Sequence, residues 1–384
     1  MRLRAAVAAS VAILAILAVI AWPYARVASF VVRAAGIGGW LDEGARAITV
    51  RTIESAETVP TRHGPVRARL YRPVAAPSRT ALLVSGAHPG GIDEPRLMGL
   101  AREVAATGWA VVTPELSDLV AYRITPRSTD IIEDAGVWLS GRRDLVPDGR
   151  IGLMGISFSG GLAVVAAGRP ALRDRTRFVF SFGGHGDLPR VLKYLCTGIE
   201  PGLNGEVRIR PPHDYGLAIV TYGVAARVVP AEQVEPFQES VLTFLKASSL
   251  ALVDRRRADI AFDRARELER SLPQPAKTLM HYVNERNVSQ LGKRLLPYID
   301  AVGNDPSLSP DRSAPPRAPV FLLHGTDDNV IPAVESRLLG RWLEGKTPVH
   351  VLLSNPITHV NVTEHATLAD YWELIAFWRG LLAQ

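Results

Sequence analysis

Residues 151–161 read IGLMGISFSGG. An apolar run ends at Ile156, and two serines follow among glycines. A buried strand often closes on small polar residues, and on that reading Ser157 and Ser159 are punctuation. The sharper reading is a strained strand-to-helix turn with Ser157 at its apex. Gly155 stands two residues before that serine, where a tight turn needs a small neighbour. Ser159 occupies the place two after it, where glycine is more usual, and Gly160 and Gly161 come next. Helix capping is the expected role for Ser159. The flanking pattern decides between the readings.

That pattern is a regular alternation. Upstream, AITVRTIESAETV and VRARLYRP alternate apolar and polar residues around the turn TRHGP, as an antiparallel pair does. ALLVSG (81–86), WAVVTPEL and RFVFSFGG are short buried-strand runs. Between them lie the helical stretches PRLMGLAREVAATG, TDIIEDAGVWLSGRR and SGGLAVVAAG. Buried strands alternating with helices predict an α/β fold, a mostly parallel, doubly wound sheet covered on both faces. The rhythm stops from about 185 to 317, where long helices such as PAEQVEPFQESVLTFLKASSLALVD replace it. It resumes with APVFLLHG, AVESRLLGRWLEG, TPVHVLLS and LADYWELIAFWRGLL. A helical block inserted before the penultimate strand predicts a cap over the strand ends; the alternative is a separate helical domain with its own partner. The expected organisation is an N-terminal segment (1–35), a sheet domain (48–184 and 318–384) and the helical insertion (185–317).

The bulk numbers set limits. The chain has 384 residues, 47% hydrophobic and 21% charged, enough for a large core. Its net charge of +6 comes from arginines scattered among acids, with no basic block interleaved with aromatics, so nucleic-acid binding is not expected. The single cysteine, Cys196, excludes an intramolecular disulfide and a CxxC site. At the N-terminus, Arg2 and Arg4 precede an uncharged apolar run from Ala5 to Trp22. Its length is near the lower limit of about 17 residues for a spanning helix, and no clean cleavage site comes after it. Trp22 and Tyr24 suit a bilayer interface. These features predict an uncleaved transmembrane anchor, with the remainder of the chain outside the cytoplasm (periplasmic in a bacterium).

The polar residues able to carry chemistry recur where strands should end, as sites do in open parallel sheets. Ser157, between a buried strand and a helix, has the context of a nucleophile elbow. A serine hydroxyl needs a base to take its proton and an acid to orient that base. LLHGTDDNVIP places Asp327 and Asp328 after the run PVFLLHG. With this the chain resembles the α/β-hydrolase-fold serine hydrolases, over about residues 48 to 382 apart from the insertion. AHPGGIDEPR and GISFSGG are similar to the dienelactone-hydrolase-like and peptidase-like bacterial members.

The resemblance implies the remaining roles. The family often has H-G-x-x-D-x-x-V-P at this point, which from His324 selects Asp328 as the acid, with Ile331 and Pro332 standing for V-P. Asp187 in FSFGGHGDL is the rival, because some members carry the acid one strand earlier. The family's base lies after the last strand, where SNPITHVNVTEH offers His359, nearer the strand end, and His365, nearer the final helix. His359 is the expected base; a two-histidine metal site is the lesser alternative. The oxyanion needs two N–H donors. Phe158, next to the nucleophile, supplies one. Aligning Ser85-Gly86 with the family's His-Gly gives the other to Ala87, with His88 the alternative. The implied activity is cleavage of a carboxylic ester through an acyl-enzyme, without cofactor or metal. The insertion's apolar content, as in YGLAIVTYGVAARVV, leans toward a hydrophobic or lipid-like substrate. An acyltransferase using the same triad, or a non-catalytic binding module, are the other classes.

Overall fold

Strands β1 (Thr52–Val59), β2 (Val66–Pro73), β3 (Arg79–Val84), β4 (Trp109–Pro114), β5 (Ile151–Ile156) and β6 (Thr176–Phe182) belong to one sheet. A two-stranded hairpin, β7 (Ile199–Pro201) and β8 (Val207–Ile209), comes next in the chain, and β9 (Val320–Gly325) and β10 (Val349–Ser354) complete the main sheet. Its order is β1-β2-β4-β3-β5-β6-β9-β10. β1 pairs antiparallel with β2 in the register Thr52–Pro73 to Val59–Val66, and β2 antiparallel with β4. Every other neighbouring pair is parallel. This is the computed structural model of the chain, and it describes residues 16, 19, 21–36, 38–355 and 367–384.

Period-two alternation sends successive strand residues to opposite faces. Leu82, Val84, Val112, Leu153 and Val179 face one layer, with α5 (Pro126–Ser140) and α6 (Phe158–Gly168). Leu83, Val111, Met154, Phe180 and Phe321 face the other. That second layer holds α1 (21–34), packed near the short α2 (Trp40–Arg46), and also α3 (Pro95–Ala105). Its last member is the C-terminal helix, Leu368–Leu382. Local chemistry fixes the helix starts. Glu94 accepts the Leu97 N–H at 2.7 Å ahead of Pro95, and Thr367 with Asp370 forms a capping box.

Between β6 and β9 the chain is mainly helical. It contains α7 (Leu188–Thr197), α8 (Asp214–Val228), α9 (Ala231–Leu250), α10 (Arg255–Ser271), α11 (Ala276–Asn284), α12 (Val288–Leu295) and the short α13 (Asp300–Gly303). After β9 come α14 (Val334–Leu343) and, beyond β10, the C-terminal helix, α15. Leu217, Val220, Phe237 and Val241 from the inserted helices belong to the same buried cluster as Leu82 and Leu153. The insertion therefore shares the sheet's core. The hairpin β7–β8 has no counterpart in the sequence reading, since strands of three residues carry too little periodicity to register.

The transmembrane reading of the N-terminus is corrected here. No helix among the described residues is long and apolar enough to cross a membrane. Most of the run Ala5–Trp22 lies outside those residues, and the placement of the chain beyond the cytoplasm, which rested on an anchor, falls with it. The segment after the run is helical and packed. Val27, Phe30 and Val31 form an i, i+3, i+4 stripe buried against α15, with the Phe30 and Trp378 ring centroids 4.6 Å apart. The two arginines of this segment, Arg26 and Arg33, are used internally. Arg26 donates to the Thr107 carbonyl, Arg33 pairs with Glu103 on α3, and Ser29 Oγ donates to the Ala45 carbonyl at 2.7 Å. A helix with one apolar stripe and internally paired charges is a layer of a globular core.

Candidate active site

Ser157 sits between β5 and α6 with φ 56° and ψ −132°. A non-glycine residue in that region stores about 1–3 kcal/mol of strain, which the surroundings must hold. They do so by backbone contact. The Ser157 N–H donates to the Phe182 carbonyl on neighbouring β6 at 2.6 Å, and the Gly160 N–H to the Ser157 carbonyl at 2.8 Å. Glycine at 155 is obligatory, because an added Cβ would stand 2.3 Å from the Ser159 carbonyl oxygen. The turn is therefore an elbow, and its small residues serve close packing.

The second serine has a different job. Ser159 is fully buried; its Oγ accepts from the Ile156 N–H at 3.1 Å and lies 3.0 Å from the Val84 carbonyl. Rather than capping the helix, as its position suggests, it ties the ends of β5 and β3 together beneath the elbow.

The loop after β3 passes directly over Ser157. A Cβ at Gly86 would lie 3.1 Å from Ser157 Cβ and 3.2 Å from the Ile156 carbonyl oxygen. This brings Ala87, one of the two expected oxyanion donors, beside Ser157. The other, Phe158, opens α6, where helix N–H groups carry partial positive charge. The Phe158 ring stacks on His185 at 4.8 Å, below the site. His88 turns its Nδ1 back to accept the Gly90 N–H at 3.1 Å, and burial holds its imidazole below the ordinary range, hence neutral.

Asp328 follows β9 and is 1% exposed. Its Oδ1 accepts the Val330 and Ile331 N–H groups at 2.9 and 3.0 Å. Its Oδ2 borders the loop after β6, where a Cβ on Gly183 would stand 3.6 Å away. His324 is a scaffold residue. Nε2 lies 2.9 Å from the Ile331 carbonyl, which can only accept, so Nε2 carries the proton and Nδ1 accepts from Ser336 Oγ at 2.7 Å. The 3.4 Å approach of Nε2 to Asp328 Oδ2 is secondary to these two bonds. Asp327 points outward, its side chain 80% exposed. Asp187, the rival acid, opens α7: Oδ1 accepts the Arg190 N–H at 2.8 Å and Oδ2 the Arg312 guanidinium. His359 and His365 both fall within 356–366, outside the described residues. Among the described residues no group of three His, Cys, Asp or Glu side chains is placed to hold a metal ion.

The structure adds contacts from the insertion that no spacing in the sequence marks. The start of α8 touches two site loops at once. The His213 N–H donates to the Asn329 carbonyl at 2.9 Å, beside Asp328, and Tyr215 Oη donates to the Ala87 carbonyl at 3.0 Å, on the loop after β3. Tyr194 Oη reaches the same Asn329 carbonyl at 3.2 Å. Burial keeps the Tyr215 phenol well above its ordinary range, so it remains a donor. Tyr122 meets the Tyr215 ring edge-on at 5.9 Å and bonds Ser249 Oγ at 2.8 Å. A cavity of about 810 Å³ opens over Ser157, within the usual span for small-molecule sites. Leu188, Val191, Leu195, Ile219 and Val220 of the insertion line one side of it.

No protein-family model matches the chain, and no curated protein matches it in sequence. Solved structures overlap it at the level of fold. An esterase from Pyrobaculum calidifontis is 15% identical, with 87% of this chain and 86% of that one covered at a TM-score of 0.45. Brefeldin A esterase, a bacterial homologue of human hormone sensitive lipase, is 14% identical, covering 88% and 78% at 0.46. A thermostable carboxylesterase cloned from a metagenomic library is 15% identical, covering 89% and 94% at 0.46. The fold rests on the strand order and the elbow rather than on these overlaps. By both features, the chain has the α/β-hydrolase fold.

Proposed function

We propose that the protein is a serine hydrolase that cleaves carboxylic esters with an apolar substituent, acting through Ser157, His359 and Asp328. The observation that carries this reading is the strained Ser157 on its elbow, directly under the Gly86–Ala87 backbone and open to a mainly apolar cavity. Strain of this kind persists where a side chain must be presented, and here it presents a hydroxyl.

In the proposed reaction Ser157 Oγ attacks the ester carbonyl carbon while His359 takes the hydroxyl proton. The carbonyl oxygen becomes an oxyanion held by the Phe158 and Ala87 N–H groups. The C–O bond to the alcohol then breaks, the alkoxide takes the proton from His359, and Ser157 is left acylated. Water repeats the sequence with His359 as base and releases the carboxylic acid. Asp328 holds the imidazole in the required tautomer. Residues 185–317 act as the cap on the sheet domain (48–184 and 318–384), supported by the bonds from His213 and Tyr215 to the site loops.

The test is covalent labelling. A fluorophosphonate is expected to modify Ser157, and Ser157→Ala to abolish both labelling and hydrolysis of p-nitrophenyl butyrate. Undiminished labelling in Ser157→Ala, or a modified peptide carrying the adduct on Ser159, overturns the assignment.

A further inference from the structure

The cavity over Ser157 does not end beneath the insertion. It continues past the C-terminal ends of β5, β6 and β9, floored by Ile156, Phe182 and Leu323, onto the opposite face of the sheet. There its walls are Val31 and Ala34 of α1, Leu97 and Leu100 of α3, and Leu374 and Trp378 of α15. Two arms thus meet at the elbow, one under the insertion and one between α1, α3 and α15. The second is walled by the N-terminal helix.

Its charges are already paired. Arg33 is matched by Glu103, and Arg96 donates from Nε to Glu94 Oε1 at 2.6 Å. No spare charge on these four residues can neutralise an ionised end group, and bringing one in would cost its hydration without compensation. From this we infer that the arm behind α1 is a second substrate-binding arm, which takes a long, uncharged alkyl chain of the ester. The inference rests on the proposed hydrolase reading for its link to catalysis, but the arm itself does not depend on Ser157 being the nucleophile.

Gly99 provides the means of testing it. This residue lines the cavity from the middle of α3, and a Cβ there meets nothing within 4 Å. A larger residue enters open space, and replacing glycine inside a helix also favours the helix. Gly99→Phe is therefore expected to fold and to block the arm. Two series of esters are compared in the full chain: acyl groups of 2 to 16 carbons on p-nitrophenol, and alcohols of 2 to 16 carbons on acetate. In whichever series feeds the arm, Gly99→Phe is expected to lower kcat/KM for 12 carbons and beyond by at least about tenfold, or roughly 1.4 kcal/mol. Two-carbon members should stay within about twofold. Dodecylpyrene, an uncharged probe, should bind Ser157→Ala and lose at least about tenfold in affinity when Gly99→Phe is added. Ala34→Leu blocks the same arm from α1 and serves should Gly99→Phe misfold. Equal losses for short and long chains, or probe binding that neither substitution weakens, overturns the second arm. Absence of fluorophosphonate labelling together with loss of probe binding in Gly99→Phe sinks the hydrolase reading and leaves the arm standing.

Discussion

The loops after β6 and after β9 each hold a buried aspartate, one strand apart, and either can serve as the acid in a chain of this pattern. The structure gives them different partners. Asp187 offers one oxygen to the Arg190 N–H and the other to the Arg312 guanidinium, inside a network that also contains Glu335 and Asp311. Asp328 offers one oxygen to two successive N–H groups of its own turn and directs the other toward the Gly183 loop beside the elbow. A carboxylate bonded by guanidinium and helix cap is scaffold. On the proposed reading, Asp328, its first oxygen fixed by its own turn, orients His359 with the second. The kind of partner, rather than burial, separates the two.

Exchanging the charges is the most direct way to break this contrast. Asp328→Asn is expected to lower kcat by up to about 10⁴ with the fold retained, because the imidazole would settle in the wrong tautomer. Asp187→Asn should keep kcat within about tenfold and instead lose about 1.5–3 kcal/mol of stability, the worth of a hydrogen bond to a charged group. Urea titrations beside steady-state kinetics on both variants separate the effects. The contrast collapses if Asp187→Asn is the catalytically severe change.

A smaller effect extends the comparison to the loop after β3. Tyr215→Phe removes one neutral hydrogen bond to the Ala87 carbonyl, worth about 0.5–1.5 kcal/mol. If that bond positions the oxyanion loop, the loss should appear in kcat, up to about tenfold, with KM nearly unchanged. A change in KM alone would make Tyr215 only a wall of the pocket.

The last effect touches stability alone and belongs to the scaffold network itself. Three carboxylates, Asp187, Asp311 and Glu335, share two guanidinium groups, Arg190 and Arg312. Burial pushes the surplus acid, Asp311, up to about 6 from its ordinary 3.8. Between those values the folded protein holds more protons than the unfolded chain. The contribution of Asp311 to stability therefore declines as pH rises from about 4 to about 6 and is level above that. Asp311→Asn removes the dependence, so the Tm of the variant should gain on the parent as pH increases from 4.5 to 7. A difference in Tm that is constant with pH would show that the network is balanced without it.

Much of this was legible in the linear chain. Strand and helix periods, the antiparallel pair at the start, the insertion before the penultimate strand and the elbow around Ser157 all came from residue spacing. Burial alternates at 2.0 and 3.6 residues, and a tight turn admits only small neighbours, so local chemistry determines these features. The N-terminus shows where such reading misleads. An apolar run after a basic tip satisfies the composition of a membrane span, and composition does not reveal that Phe30 meets Trp378, more than three hundred residues away. Only the tertiary structure showed that Arg190 and Arg312 hold Asp187, that Ser159 ties β5 to β3, that Tyr215 reaches the Ala87 carbonyl, and that α1 walls the cavity. Each depends on a partner distant in the chain, and side-chain type and spacing carry no record of such partners.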